Sequence, residues 1–294
     1  LFTTIGGELH ARTLTPTFGM PGDTLIESDW TGEFAFIVRE DGRAQIAWTR
    51  RFQDGTGYTL YEVRTASIGA SGDLMNVMSH MTPIKQSEGE YWGLDLAEKD
   101  GRIVLAGYHR DISTGGSWLD VTNIFLIVGE DGDSSQGWFT RNNVITDVDI
   151  NPQFGNSIAV GIGKKYVHIL YQAMRDDVTG QERVGLFYAH GEAHITPWSF
   201  QSAVGDNAAM PELMVIEEND KDVLIAGWVE QTGRSATINT AVTDSIWSLD
   251  NPTITSAPGA TKVVILKIGD GIRVLHDEIG IYGPVVRYGL RLAN

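Results

Sequence analysis

Asp222-Val-Leu-Ile-Ala-Gly-Trp228 is the stretch on which the fold turns, because close relatives of it recur along the chain. Arg43-Ala-Gln-Ile-Ala-Trp48, Gly101-Arg-Ile-Val-Leu-Ala-Gly-Tyr108, Lys165-Tyr-Val-His-Ile-Leu-Tyr171 and Gly271-Ile-Arg-Val-Leu-His276 share its plan. Each leaves a polar turn, runs through aliphatic residues and ends on a ring. The rings stand at 48, 108, 171, 228 and 276, so the spacings are 60, 63, 57 and 48. A near-even recurrence of this length marks one supersecondary unit used repeatedly, since no single unit buries its apolar face alone.

The surroundings of each copy fill in the unit. First strands are expected at 34–38, 91–96, 157–160, 212–216 and 262–268, and third strands at 58–65, 119–128, 184–188, 236–242 and 285–292. Fourth strands follow at 74–78, after Trp138, after Trp198 and at 246–247. Asp-Gly precedes the second strand at 41–42, 100–101 and 270–271. That dipeptide closes tight hairpins because both central residues need positive φ. The fifth unit offers three strands only, and residues 1–5 read as a strand with no partner nearby. The expectation is an all-β chain forming a single five-bladed β-propeller with four antiparallel strands per blade. Its ring is closed by the N-terminal strand joining the C-terminal blade. The blades fall at about 33–80, 90–145, 150–204, 210–254 and 259–294 plus 1–10, with 1–32 as closing strand and loop. No run of about twelve residues keeps helical periodicity, so almost no helix is expected. A two-sheet sandwich leaves the period unexplained.

Composition narrows the function classes. The chain has 294 residues, with 22 Lys+Arg against 38 Asp+Glu and a formal charge of -16, which disfavours a nucleic-acid partner. Aliphatic runs such as Val263-Val-Ile-Leu266 are far shorter than the roughly 20 residues of a membrane-spanning helix, so no membrane insertion is expected. Cysteine is absent, which removes disulfides and thiolate metal sites. The seven histidines show no metal-ligand spacing, and no Gly-rich phosphate loop or Gly-x-Ser-x-Gly elbow occurs. A chain beginning at Leu1 is expected to be processed or part of something longer, in an extracellular setting or on a particle surface.

Two resemblances follow from local motifs. Glu130-Asp-Gly-Asp-Ser-Ser-Gln-Gly-Trp138 resembles a degenerate Asp-box of sialidase-like propellers, and Trp198 and Trp247 follow the equivalent turns. Asn151-Pro-Gln-Phe154 and Met210-Pro-Glu-Leu213 are similar to the proline-containing strand starts of those families, where a missing ladder donor is tolerated. The likeness extends loosely over 33–294, as architecture; complete Asp-boxes and the Phe-Arg-Ile-Pro motif of sialidases are absent. The chain also resembles arabinanase-like and invertase-like glycoside hydrolases. That resemblance implies three carboxylates where inner strands begin, facing a central funnel. It also implies a central calcium ion as the one cofactor; the residues themselves call for none.

Carboxylates do stand at the expected first-strand starts: Asp29 and Glu33, Glu88 and Glu90, Asp147 and Asp149, and Glu212. The fifth start, Ala257-Pro-Gly-Ala260, has none. Glycosidic cleavage needs a general acid and a base or nucleophile about 5 Å or about 6.5–9.5 Å apart. The candidate catalytic set is Asp29, Asp149 and Glu212, with Glu212 as the acid. A second candidate set lies at the ends of the second strands. Trp48, Tyr108, Tyr171 and Trp228 are rings on which sugar C–H faces can stack, and Arg50, Arg110 and Glu230 stand just beyond them. The competing reading is that these rings pack between sheets.

The function expected from these features is glycan recognition, by a lectin-like or receptor-binding head of a larger surface or virion assembly. The alternatives are a glycoside hydrolase of arabinanase or invertase type using the strand-start carboxylates, and a non-catalytic scaffold.

Overall fold

A computed structural model describes residues 2–5, 7–12, 23–39, 41–69, 72–81, 83–85, 87–111, 121–129, 138–146, 148, 157–176, 182–195, 198, 200–232, 235–243, 253–256, 260, 262–268, 271–280 and 283–292. Every regular element among them is a β-strand, so no helix there is long and apolar enough to cross a membrane. The chain divides into two compact units, Leu1–Asp147 and Val148–Asn294.

The first unit holds three sheets. β1 (Phe2–Ile5), β2 (Glu8–Arg12) and β3 (Asp23–Glu27) form a three-stranded sheet. This corrects the expectation that residues 1–5 lack a local partner, since β1 pairs with β2 from Phe2↔Ala11 to Ile5↔Glu8. Gly7, at φ 91, supplies a backbone conformation that the tight turn between them requires. The expected pairing of 1–10 with 285–294 would run between the units, and each unit is described by its own pairings. The second sheet is the meander β4 (Trp30–Val38), β5 (Ala44–Gln53), β6 (Thr59–Ile68) and β7 (Leu74–Ser79), with the short β8 (Ile84–Lys85) on β6. The third is β9 (Gly89–Lys99), β10 (Arg102–Asp111), β11 (Val121–Gly129) and β12 (Trp138–Ile145).

The second unit repeats the plan. β13 (Ile158–Ile162), β14 (Val167–Asp176), β15 (Glu182–Gly191) and β16 (Phe200–Asp206) make one sheet. β17 (Ala208–Glu218), β18 (Lys221–Thr232), β19 (Ser235–Thr243) and β20 (Thr253–Ser256) make the next. β21 (Val263–Ile268), β22 (Gly271–Gly280) and β23 (Gly283–Leu292) make the last. The expected fourth strand at 246–247 lies outside the described residues, and the observed fourth strand is β20. Asp222 to Trp228 falls inside β18, the second strand of its sheet, as its recurrence requires.

Turn chemistry explains the hairpins. Asp100 and Gly101 both take positive φ, 52 and 81, as a tight turn demands. At 41–42 only Gly42 does, at φ 80; its N–H donates to the Arg39 carbonyl at 2.9 Å, and the Arg39 N–H donates to that of Arg43 at 2.8 Å. That hairpin is therefore wider than expected, with the glycine last. Between β17 and β18 the pair Asn219 (φ 51) and Asp220 (φ 66) does the same work without glycine, because short polar side chains tolerate the left-handed region. Asp270 lies outside the described residues.

Within each unit the sheets stack face to face. Leu9 and Ile26 meet Ile46, Trp48 and Ala66 in one apolar core, and Val63 and Ala47 meet Leu105, Phe125 and Ile127 in another. In the second unit Leu170 and Tyr188 meet Leu213, Leu224 and Trp228, while Ile225 and Val229 meet Val263 and Val274. The tryptophans after the third turn have a packing role. A Cβ on Gly129 would lie 2.6 Å from the Trp138 ring, and one on Gly191 2.4 Å from Trp198, so each indole covers the glycine that ends the third strand. Segment 130–137 of the Asp-box-like stretch, Pro152 and Trp247 lie outside the described residues. Pro211 is not at the strand start as expected. It sits inside β17 at a register shift between Ala209 and Glu212, where the ladder needs no donor.

Candidate functional site

Strand register brings the two candidate sets to one end of each sheet. Trp30 pairs with Arg50, Glu90 with Arg110, and Ala208 with Glu230, so the first strands begin where the second strands end. The rings themselves point inward. Trp48, Tyr108 and Trp228 are 0% exposed and Tyr171 is 2% exposed, which corrects their assignment as sugar-stacking platforms. Room for them comes from bulges in the first strands. The ladder slips between Trp30 and Phe34, between Ala106 and Tyr108, and between Ala209 and Glu212, near Trp48, Tyr108 and Trp228 respectively. Positive φ at Gly32 (106), Gly93 (60) and Met210 (49) accompanies these slips.

In the first unit the end of β5 gathers charge. Glu27 is 7% exposed and accepts the Trp48 indole N–H at 3.1 Å. Arg50 reaches Glu27 at 3.5 Å, Asp29 at 3.6 Å and Glu62 at 3.2 Å. Arg64 reaches Glu27 at 3.5 Å and Glu62 at 2.5 Å, and the Ser79 hydroxyl donates to Glu62 at 2.7 Å. Burial pushes the Glu62 carboxyl up, but the Ser79 hydroxyl and the two guanidinium groups outweigh it and hold Glu62 below the usual range. Glu27 and Glu62 are thus the inner wall and Asp29, half exposed, the outer member. Glu33, on the other side of β4, keeps solvent contact while the mass of protein around it lifts its carboxyl, opposed by the Gly93 N–H. Arg110 in the third sheet forms an ion pair with Glu90 at 3.3 Å. Both sites match the shared offset of the two arginines, each answered by an acid on a neighbouring strand. Glu27, Glu62, Arg64 and Ser79 were missed from the sequence. The available signal was Glu62 and Arg64 alternating onto the face of β6 that lies beside Arg50.

In the second unit the corresponding end is built on hydrogen bonds. Gln172, 2% exposed, accepts from the Ser157 N–H at 2.9 Å and the Ser157 hydroxyl at 2.6 Å, and donates to the Ala208 carbonyl at 3.0 Å. The Met210 N–H donates to Ser157 Oγ at 3.0 Å. Glu230 accepts the Trp228 indole N–H at 3.1 Å, so it serves its neighbouring ring. Glu212 pairs with Gly227, whereas Trp228 and Glu230 occupy the alternate positions of β18. Paired residues share a face, so Glu212 lies on the face of Gly227, which approaches Val263, and not on the face of Trp228. The non-glycine positive φ of Met210 costs about 1–3 kcal/mol, the kind of strain that concentrates at functional positions.

Of the expected catalytic set, Asp29 is exposed beside Arg50, Glu212 lies on β17 in the second unit, and Asp149 lies outside the described residues. A calcium ion was implied by resemblance. Among the described residues no group of three or more His, Asp or Glu is placed to hold a metal, and no step is derived through one. Another buried polar group of the second unit, His168 bonded to Tyr188 at 2.8 Å and near the buried Asp222 at 3.7 Å, lies at the opposite strand ends, where it ties neighbouring sheets together.

No known protein family matches the sequence, and no curated protein does. Solved structures do. An α-L-arabinanase of Penicillium chrysogenum complexed with arabinobiose has a TM-score of 0.56 at 9% identity, covering 97% of this chain and 85% of that one. The GH93 α-L-arabinofuranosidase of Fusarium graminearum with arabinobiose has a TM-score of 0.56 at 8% identity, with the same coverage. The fold is that of the β-propellers to which these enzymes belong. The polysaccharide lyase Uly1 also matches, with a TM-score of 0.51 at 11% identity, over 88% of this chain and 57% of that one. A propeller can carry different chemistries, so the likeness gives the scaffold and the side chains must argue the reaction. In the first unit an exposed carboxylate, Asp29, is braced by Arg50; in the second unit Glu212 lies inside β17, just beyond its bulge.

Proposed function

We propose that the chain is a glycoside hydrolase acting on arabinose-containing glycans. The observation that carries this is Asp29: its exposed carboxylate is held at 3.6 Å by Arg50, itself fixed by the buried Glu27 and Glu62. A carboxylate so braced is suited to stabilise positive charge developing at the anomeric carbon, or to attack it. In the second unit Glu212 is the proposed general acid, and Asp149 remains a further candidate carboxylate. Support for the sugar comes from the fold, since two propellers of this type are described with arabinobiose.

Glycan recognition by a lectin-like head was the first expectation, and one of its motives was the repeated rings with polar neighbours at the strand ends, taken as accessible. Their burial removes that motive. The test is incubation of the purified protein with α-linked arabino-oligosaccharides, β-fructosides and sialosides, with chromatography of the products. Release of arabinose or shorter arabino-oligosaccharides supports the proposal. No cleavage of any substrate overturns it, and binding without cleavage returns the protein to the lectin-like reading.

A further inference from the structure

The bulge in β17 decides which side of the sheet Glu212 faces. Ala209 pairs with Val229 and Glu212 with Gly227, so β17 advances three residues while β18 advances two. Without the extra residue the ladder would set Glu212 opposite Ala226, on the face of Trp228, because one step of register exchanges the two faces of a strand. The bulge passes through Met210 at φ 49. At the comparable slips of the first unit the positive-φ residue is a glycine, Gly32 or Gly93, which takes that conformation without strain. Met210 needs something to hold it there.

We propose that Gln172 and Ser157 form a latch that maintains this bulge, making Gln172 a positioning residue for Glu212. The latch is a closed circuit. Met210 N–H donates to Ser157 Oγ at 3.0 Å, Ser157 O–H donates to Gln172 Oε1 at 2.6 Å, and Gln172 Nε2 returns to the Ala208 carbonyl at 3.0 Å, two residues before Met210. The orientation of the amide is fixed by its partners. Rotating it would set Nε2 against the Ser157 N–H and Oε1 against the Ala208 carbonyl, opposing donor to donor and acceptor to acceptor. Because Gln172 is 2% exposed, water does not replace these bonds when the side chain is shortened or made apolar. The inference rests on the proposed role of Glu212 as the acid, while the latch itself stands on the hydrogen-bond geometry.

Two readouts separate the two. The first is amide hydrogen exchange at Met210 in the full chain, compared among the parent, Gln172→Met and the milder Ser157→Ala. The latch predicts that both variants lose protection at Met210 by roughly tenfold or more while the Leu224 and Ile225 amides in the same sheet keep theirs. Unchanged exchange at Met210 overturns the latch, whatever the protein hydrolyses. The second is arabino-oligosaccharide hydrolysis. Positioning predicts that Gln172→Met lowers kcat by roughly tenfold or more with KM changed less than about twofold, since a displaced acid acts on the chemical step. Adding Met210→Gly should restore most of kcat, because glycine holds positive φ unaided. Equal loss in the single and double variants makes Gln172 merely structural and overturns the positioning role. Absence of hydrolysis by the parent defeats the functional proposal and, with it, the positioning role, and leaves the exchange result to decide the latch.

Discussion

The indole nitrogen of Trp48 lies 3.1 Å from Glu27 Oε2, so the ring that ends the recurrent strand is turned inward to hold a buried carboxylate. The Trp228 indole N–H likewise donates to Glu230, a part-buried carboxylate, at 3.1 Å in the second unit. The shared motif serves the scaffold, and it fixes acids near the strand starts as a consequence. Trp48→Phe keeps an aromatic ring and removes the donor, leaving Glu27 with one partner fewer in a site that is 7% exposed. The expected loss is about 1–3 kcal/mol, read as a lowered midpoint in urea unfolding. An unchanged midpoint would show that the indole bond carries no weight.

Ser79 is the first of the groups that outweigh burial at Glu62. Ser79→Ala is therefore expected to raise the Glu62 pKa, followed by carboxyl carbon chemical shift against pH. A carboxyl held low in the folded state contributes stability that is complete above its unfolded pKa and is lost as pH falls through the folded value. The variant should accordingly unfold at a higher pH on acidification. A Glu62 titration identical to the parent's would refute the role given to the hydroxyl.

His80 is shifted in the same direction, but here burial is the cause. Burial lowers its pKa from 6.5 to about 4, with its ring bonded to Thr65 Oγ1 at 2.6 Å and packed on Trp138 at 4.6 Å between centroids. A histidine kept neutral in the folded state stabilises fully above the unfolded pKa, and that contribution declines as pH drops from 6.5 towards 4. From the size of the shift the loss between pH 7 and pH 5 is about 2 kcal/mol. His80→Gln retains hydrogen bonding and cannot take the proton, so its stability should fall less over that interval. Denaturant unfolding at the two pH values provides the comparison, and equal slopes would contradict it.

Gly129 and Gly191 lie under Trp138 and Trp198, with 2.6 and 2.4 Å available to a Cβ. Alanine at either position must displace a packed indole, at an expected cost of about 1–3 kcal/mol. Thermal unfolding should show both variants destabilised, and no effect would mean that the indoles are free to move aside.

How much of this was legible beforehand depends on range. The second strands and the Asp100-Gly101 hairpin follow from local pattern, and each appears where periodicity puts it. The strands β2 and β3 were missed because Glu8-Leu-His-Ala-Arg12 and Asp23-Thr-Leu-Ile-Glu27 are short and rich in polar residues. Gly6-Gly7 was passed over as a turn for the same reason. Among the candidate residues, Asp29 and Arg50 were identified by position and do meet. Burial of Trp48 and Trp228 agrees with the competing reading that these rings pack between sheets, while the bulges beside them are not encoded by alternation in the second strand. Glu27 and Glu62 come to Arg50 from strands 12 residues or more away in sequence, a distance over which only the folded sheets decide who meets whom.

The account stands on carboxylate chemistry, and hydrolysis of α-linked arabino-oligosaccharides by the protein, Asp29→Asn and Glu212→Gln tests it most directly. The parent should release shorter sugars, and each variant should be slower by about 10²-fold or more with an unaltered circular dichroism spectrum. No release by the parent, or full activity in a folded Asp29→Asn or Glu212→Gln protein, would contradict the account.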